Sequence, residues 1–126
     1  MTGNSYQKLA MRTNDGECTY RLCKYVYTEA GKERDTGGIL MACLGLSGEV
    51  GEFNDMIKKA VFHETPLDEE HAKKELGDIM WYVALMATSF GWQLDDIMEL
   101  NIDKLKKRYP EGFSVYASNH RKEGDI

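Results

Sequence analysis

The chain has little that would break or staple a backbone. Only two prolines occur, Pro66 and Pro110, and both lie where a helical pattern ends or begins. The three cysteines, Cys18, Cys23 and Cys43, are odd in number and lack metal-ligand spacing. That excludes a disulfide framework and a zinc motif, and reads as reduced thiols in a cytoplasmic protein. No apolar run approaches the ~18 residues of a membrane span. The N-terminus lacks the basic-then-apolar pattern of a secretory signal. Positive charge is outnumbered: Lys and Arg total 16 against 21 Asp and Glu, a net charge of −5, which argues against a surface that coats nucleic acid. No internal repeat or low-complexity tract appears. What remains is ordinary for a globular protein, 42% hydrophobic and 29% charged, and its 126 residues suffice for one domain over 1–126.

Apolar spacing predicts an all-α fold, an antiparallel bundle of about four helices. A short first helix spans Ser5 to Arg12. Residues 13–38 are polar, glycine-bearing and read as mostly irregular, with short ordered pieces around Tyr20–Tyr27. Leu46, Val50, Phe53 and Ile57 then step by four, three and four, the stripe of a buried face on a helix from about Gly38 to about His63. Thr65-Pro66-Leu67-Asp68 interrupts it, with Asp68 or Thr65 suited to cap the next helix. That helix reaches about Phe90, with Leu76, Ile79 or Met80, Val83, and Met86 or Ala87 inward and Gly91 as its stop. A fourth helix covers about Leu94 to Arg108, with Ile97, Leu100 or Asn101, and Leu105 inward. A polar tail follows over about 114–126, its end of a composition that suits disorder. Short loops make the last three helices antiparallel neighbours.

Two carboxylate pairs carry the chemical information. Glu49 and Glu52 lie on the first long helix, Glu75 and Asp78 on the second, each pair spaced i, i+3 and so on one face. Each acid immediately precedes a core residue, a rotation of ~100°, so the acids flank the apolar stripe. Four carboxylates at the edge of one seam would repel unless a divalent cation lay between them, and oxygen-only ligands suit magnesium or manganese. Neither pair has a His at i+3, which sets aside a di-iron carboxylate bundle. His71 precedes Glu75 by one turn and is within reach of it, though its charged neighbours favour a place at the surface. Gly45, Gly48 and Gly51 recur every three residues and Gly77 sits within the second pair. Interior helical glycines at a cost of ~1 kcal/mol each suggest close approach of a backbone or ligand, or tight helix packing.

The fourth helix adds positive charge. Asn101, Lys104 and Arg108 share one face, with Lys107 off it. An amide and two cations suit a phosphate chain, and they equally suit the negative end of a helix dipole. Lys58 and Lys59 admit the same two readings. Tyr82, one turn beyond Asp78, either contacts a base or belongs to the core.

In this order, Gly45-Leu46-Ser47-Gly48-Glu49-Val50-Gly51-Glu52, Lys74-Glu75-Leu76-Gly77-Asp78-Ile79-Met80-Trp81-Tyr82 and Asn101-Ile102-Asp103-Lys104-Leu105-Lys106-Lys107-Arg108-Tyr109-Pro110-Glu111-Gly112-Phe113 resemble the all-α, MazG-like nucleoside triphosphate pyrophosphohydrolases. The resemblance is to the small single-domain bacterial and phage members, and Tyr6 to Thr13 looks like their opening. It implies hydrolysis of a nucleoside triphosphate to monophosphate and pyrophosphate. It implies magnesium, or manganese, on Glu49, Glu52, Glu75 and Asp78, with Glu49 and Glu52 the candidates for activating water. It places Asn101, Lys104 and Arg108 on the phosphate side, and we add Tyr82 and Lys59 as further substrate contacts. Gly48 stands where many MazG proteins carry a second adjacent glutamate, which leaves one fewer candidate base. The alternatives are a same-fold hydrolase of another nucleotide pyrophosphate, such as phosphoribosyl-ATP, and a non-catalytic nucleotide-binding helical scaffold. Trp81, Tyr82, Met86 and Phe90 exceed what one helix face needs, so a homodimer or homotetramer is expected, as in the family. No nucleic-acid or membrane partner is expected.

Overall fold

The computed structural model describes residues 1–29 and 33–126. Among them there are helices and no strands. The first helix, α1 (Gly3–Ala10), starts at a capping box in which the Thr2 hydroxyl accepts from the Ser5 amide at 3.2 Å and the Ser5 hydroxyl accepts from the Thr2 amide at 2.9 Å. A 3-10 turn, Met11–Thr13, extends it.

The stretch expected to be irregular is more ordered than its composition suggests. Helix α2 (Cys18–Lys24) continues into a π-helical segment, Tyr25–Glu29, while residues 30–32 of that stretch lie outside the described residues. Its start is fastened locally: Gly16 turns the chain at φ 76°, and the Asp15 carboxylate accepts from the Glu17 amide and pairs with Arg21.

The core lies between α3 (Thr36–Phe62) and α4 (Glu69–Phe90). The Asp35 carboxylate caps α3 through the Gly38 amide at 2.9 Å. The Asp68 carboxylate caps α4 through the His71 amide at 3.0 Å, and Gly91 ends α4 in the left-handed region at φ 75°. The two helices are antiparallel: the Asp35 amide at the start of α3 donates to the Ser89 carbonyl near the end of α4, at 2.9 Å. Thr36, Ile39 and Ala42 of α3 and Ala72, Glu75, Ala87 and Ser89 of α4 are buried. Of the expected stripe, Leu46 and Phe53 are half-buried, whereas Val50, Ile57, Leu76 and Val83 remain exposed. Two helices alone cannot enclose both flanks of either stripe.

Helix α5 (Leu94–Arg108) has the expected bounds but does not pack along the α3·α4 pair, so its Leu100 and Leu105 stay exposed. Within one chain the antiparallel packing is therefore a two-helix pair, and the described residues do not close a four-helix bundle. The tail is ordered as α6 (Val115–Asn119), capped by Ser114, followed by a turn that returns to α5. Among the described residues, no helix is long and apolar enough to cross a membrane. Cys18, Cys23 and Cys43 are free and exposed.

Candidate functional site

The antiparallel register sets Glu49 and Glu52 of α3 opposite Glu75 of α4. Each of the three brings a carboxylate oxygen within 4.8 Å of the other two. Asp78 stands outside that set and is exposed, yet its charge reaches the cluster. Glu49 shows the effect: partial burial first, then the charges of Glu52, Asp78 and Glu75, hold its proton affinity above the ordinary carboxylate value.

Glu75 is the buried member. Its Oε1 lies 2.8 Å from Nε2 of His71, one turn earlier on α4. Its Oε2 is buried and has no protein partner among the described residues. A buried carboxylate oxygen left unpaired is costly, and a cation held by Glu75 with Glu49 and Glu52 would satisfy it. The donors are all oxygens on one seam, so the residues present fit a hard divalent cation. His71 is half-exposed, as its charged neighbours suggest, and it also grips Glu75. The sequence signal for that role was the i, i+4 spacing on α4.

The ring of Tyr82 packs on α3, where a side chain at Gly45 would need to be. It meets Trp81 edge-on with ring centroids 5.0 Å apart. Tyr82 is thus an inter-helix packing group one helical turn from the acids. Gly48, Gly51 and Gly77 face open space, so helix packing among the described residues does not account for them.

The cationic residues fall elsewhere. Lys59 is paired with Asp55 at 2.7 Å and Lys58 with the same carboxylate at 3.0 Å, which holds Asp55 down to about 2. Asn101 is exposed on α5. Lys104 and Arg108 line a cleft of about 740 Å³ between α5 and the returning tail. Lys107, expected off their face, lines the same cleft, because it lies three residues beyond Lys104 and falls on the single stripe of Leu100, Asp103, Lys104, Lys107 and Arg108 that α5 turns to the tail. Arg108 is held by Asp125, with Nε 2.8 Å from Oδ2 and Nη2 2.6 Å from Oδ1. Since α5 leaves the α3·α4 pair, one chain does not pack its cationic face along the acids.

Comparison with known proteins gives the family. The MazG nucleotide pyrophosphohydrolase domain matches residues 39–113, from the first turn of α3 to just beyond α5. The gene 37 protein of Mycobacterium phage L5 is 32% identical over 100 residues, covering 76% of this chain and 88% of the phage protein. No solved structure matches the chain significantly. The matched segment contains both carboxylate pairs and the whole of α5, and the chain belongs to the MazG nucleotide pyrophosphohydrolase family.

Proposed function

We propose that the protein hydrolyses a nucleoside triphosphate, ribo or deoxy, to the monophosphate and pyrophosphate, with magnesium held by Glu49, Glu52, Glu75 and Asp78. The observation that carries this reading is the unpartnered, buried Oε2 of Glu75 inside a cluster of three carboxylates. When bound, magnesium supplies charge neutralisation of the phosphates and polarisation of the α-phosphorus. Glu49 or Glu52 takes the proton of the attacking water, in a set of acids whose protonation is coupled. His71 orients Glu75 through its Nε2. Asn101, Lys104 and Arg108 bind the phosphate chain, Arg108 through its guanidinium and Lys104 as a point charge. Tyr82 contributes by holding the seam beside the acids, and Lys59 joins only by leaving Asp55.

The unpacked surface supports self-association. The chain exposes 10546 Å², against ~6,800 Å² for a compact monomer of this length. Leu44, Phe62, Met80 and Leu100 are each at least 70% exposed. A homodimer or homotetramer would cover these faces, complete the bundle and bring the α5 of a neighbouring copy toward the acids.

The test is pyrophosphate release from a panel of ribo- and deoxynucleoside triphosphates, with magnesium and with EDTA. Magnesium-dependent pyrophosphate with monophosphate is expected. Orthophosphate with a nucleoside diphosphate, or full turnover in EDTA, would reject the reading.

A further inference from the structure

The cleft at the end of α5 is built for an anion and holds one of its own. It is lined by five cations, Lys104, Lys107, Arg108, Arg121 and Lys122, against three carboxylates. One of those carboxylates, Asp125, accepts both hydrogen bonds of the Arg108 fork, and the two side chains are only 10% and 18% exposed. Arg121 and Lys104 lie near enough that their charges, after that of Arg108, help keep Asp125 ionised. The rest of the segment is weakly anchored: Val115 and Tyr116 are exposed, and α6 is five residues long. A shielded fork already engaged by a carboxylate cannot grip a phosphate bidentately on that edge.

We infer that the Asp125 carboxylate occupies a phosphate position framed by Arg108, Lys104 and Arg121, and that the phosphate chain of the substrate takes this position by displacing it. The inference rests on the reading of Arg108 as a phosphate-side residue and adds two things to it. Arg121, on the tail, becomes a third phosphate-binding cation. Asp125 becomes an internal competitor, whose single charge yields to the several charges of a triphosphate. A carboxylate and a phosphate oxygen present the same acceptor geometry to a guanidinium, which is why one can stand in for the other.

The probe is inorganic tripolyphosphate, titrated calorimetrically into the full chain in EDTA, so that binding is read apart from metal and turnover. Asp125→Asn keeps the shape of the side chain and removes its charge. It should bind tripolyphosphate about tenfold more tightly than the wild type, and Asp125→Ala should do the same if the asparagine variant folds poorly. Arg121→Ala should bind about tenfold more weakly. Equal affinity in the wild type and both Asp125 variants would overturn the competition, and equal affinity in Arg121→Ala would overturn the third cation. Pyrophosphate release by Arg108→Ala separates the two levels. If that variant loses turnover while the Asp125 variants bind like the wild type, the inference fails and the phosphate-side reading stands. If Arg108→Ala turns over normally, the underlying reading fails.

Discussion

A Cβ on Gly45 would stand 2.1 Å from Cε1 of Tyr82, so the two helices that carry the acids meet ring against backbone at this point. The contact lies one turn before Glu49 on α3 and one turn after Asp78 on α4. It therefore bears on the spacing of the carboxylates as well as on stability.

Gly45→Ala should destabilise the fold by ~1–3 kcal/mol, because displacing the ring outweighs the gain in helix propensity. Gly48→Ala, Gly51→Ala and Gly77→Ala meet no neighbour among the described residues and should each stabilise the chain by up to ~1 kcal/mol. Thermal melts of the four variants check this. A Gly45→Ala protein that melts above the wild type would show that the ring is not held in the seam. Losses of activity at the other three, without loss of stability, would show that substrate or a second chain approaches the open face.

His71 and Glu75 form a further testable pair, 2.8 Å apart. Removing the imidazole should weaken magnesium binding by ~10–100-fold, the usual cost of losing a group that orients a ligand. Magnesium titration of His71→Ala, followed by the rise in melting temperature, measures it. An unchanged dissociation constant would reduce His71 to a surface residue.

The acids should also make the metal-free fold sensitive to pH. Glu49 binds its proton more tightly in the fold than in the unfolded chain. Its contribution favours the fold below its ordinary value of 4.5 and is lost as pH rises through the higher folded value. In EDTA, the melting temperature of Glu49→Gln should therefore exceed that of the wild type at pH 7, with the difference shrinking toward pH ~4. Catalysis should be lost in the same variant. Lower metal-free stability at pH 7 would point to a structural hydrogen bond in place of repulsion.

Asp55 predicts the opposite sign. Its pairs with Lys59 and Lys58 lower its pKa from 3.8 to about 2. The stability it adds is present above 3.8 and disappears as pH falls through about 2. Acid titration of the melting temperature should be shallower in Asp55→Asn than in the wild type over this window. The effect should be small, because the pair is exposed and screened by salt. Identical titrations would show that the pairs do not persist in solution.

Much of this fold could be read from residue order alone. The Asp68 cap, the Gly91 stop and the bounds of α5 follow from local rules of capping and breaking, which act within a few residues and need no partner. The i, i+3 acids likewise needed only helical periodicity to share a face. The α2 region was harder, because its order rests on the turn at Gly16 and the Asp15–Arg21 pair, which composition does not display.

Which groups meet was settled by packing between elements. The register of α3 on α4 joined Glu49, Glu52 and Glu75 and left Asp78 outside, a difference that depends on how two helices slide past each other and not on spacing along either. Packing placed Tyr82 on Gly45 and gave His71 to Glu75. The return of the tail handed Arg108 to Asp125, a residue 17 positions away, and helical periodicity ends where the helix ends. Local pattern therefore yields α3, α4 and α5, the placement of each acid pair on one helix face, and the motif order of the family. The pairings across helices and across the tail belong to the fold, because they are set by long-range burial and charge that no local pattern encodes.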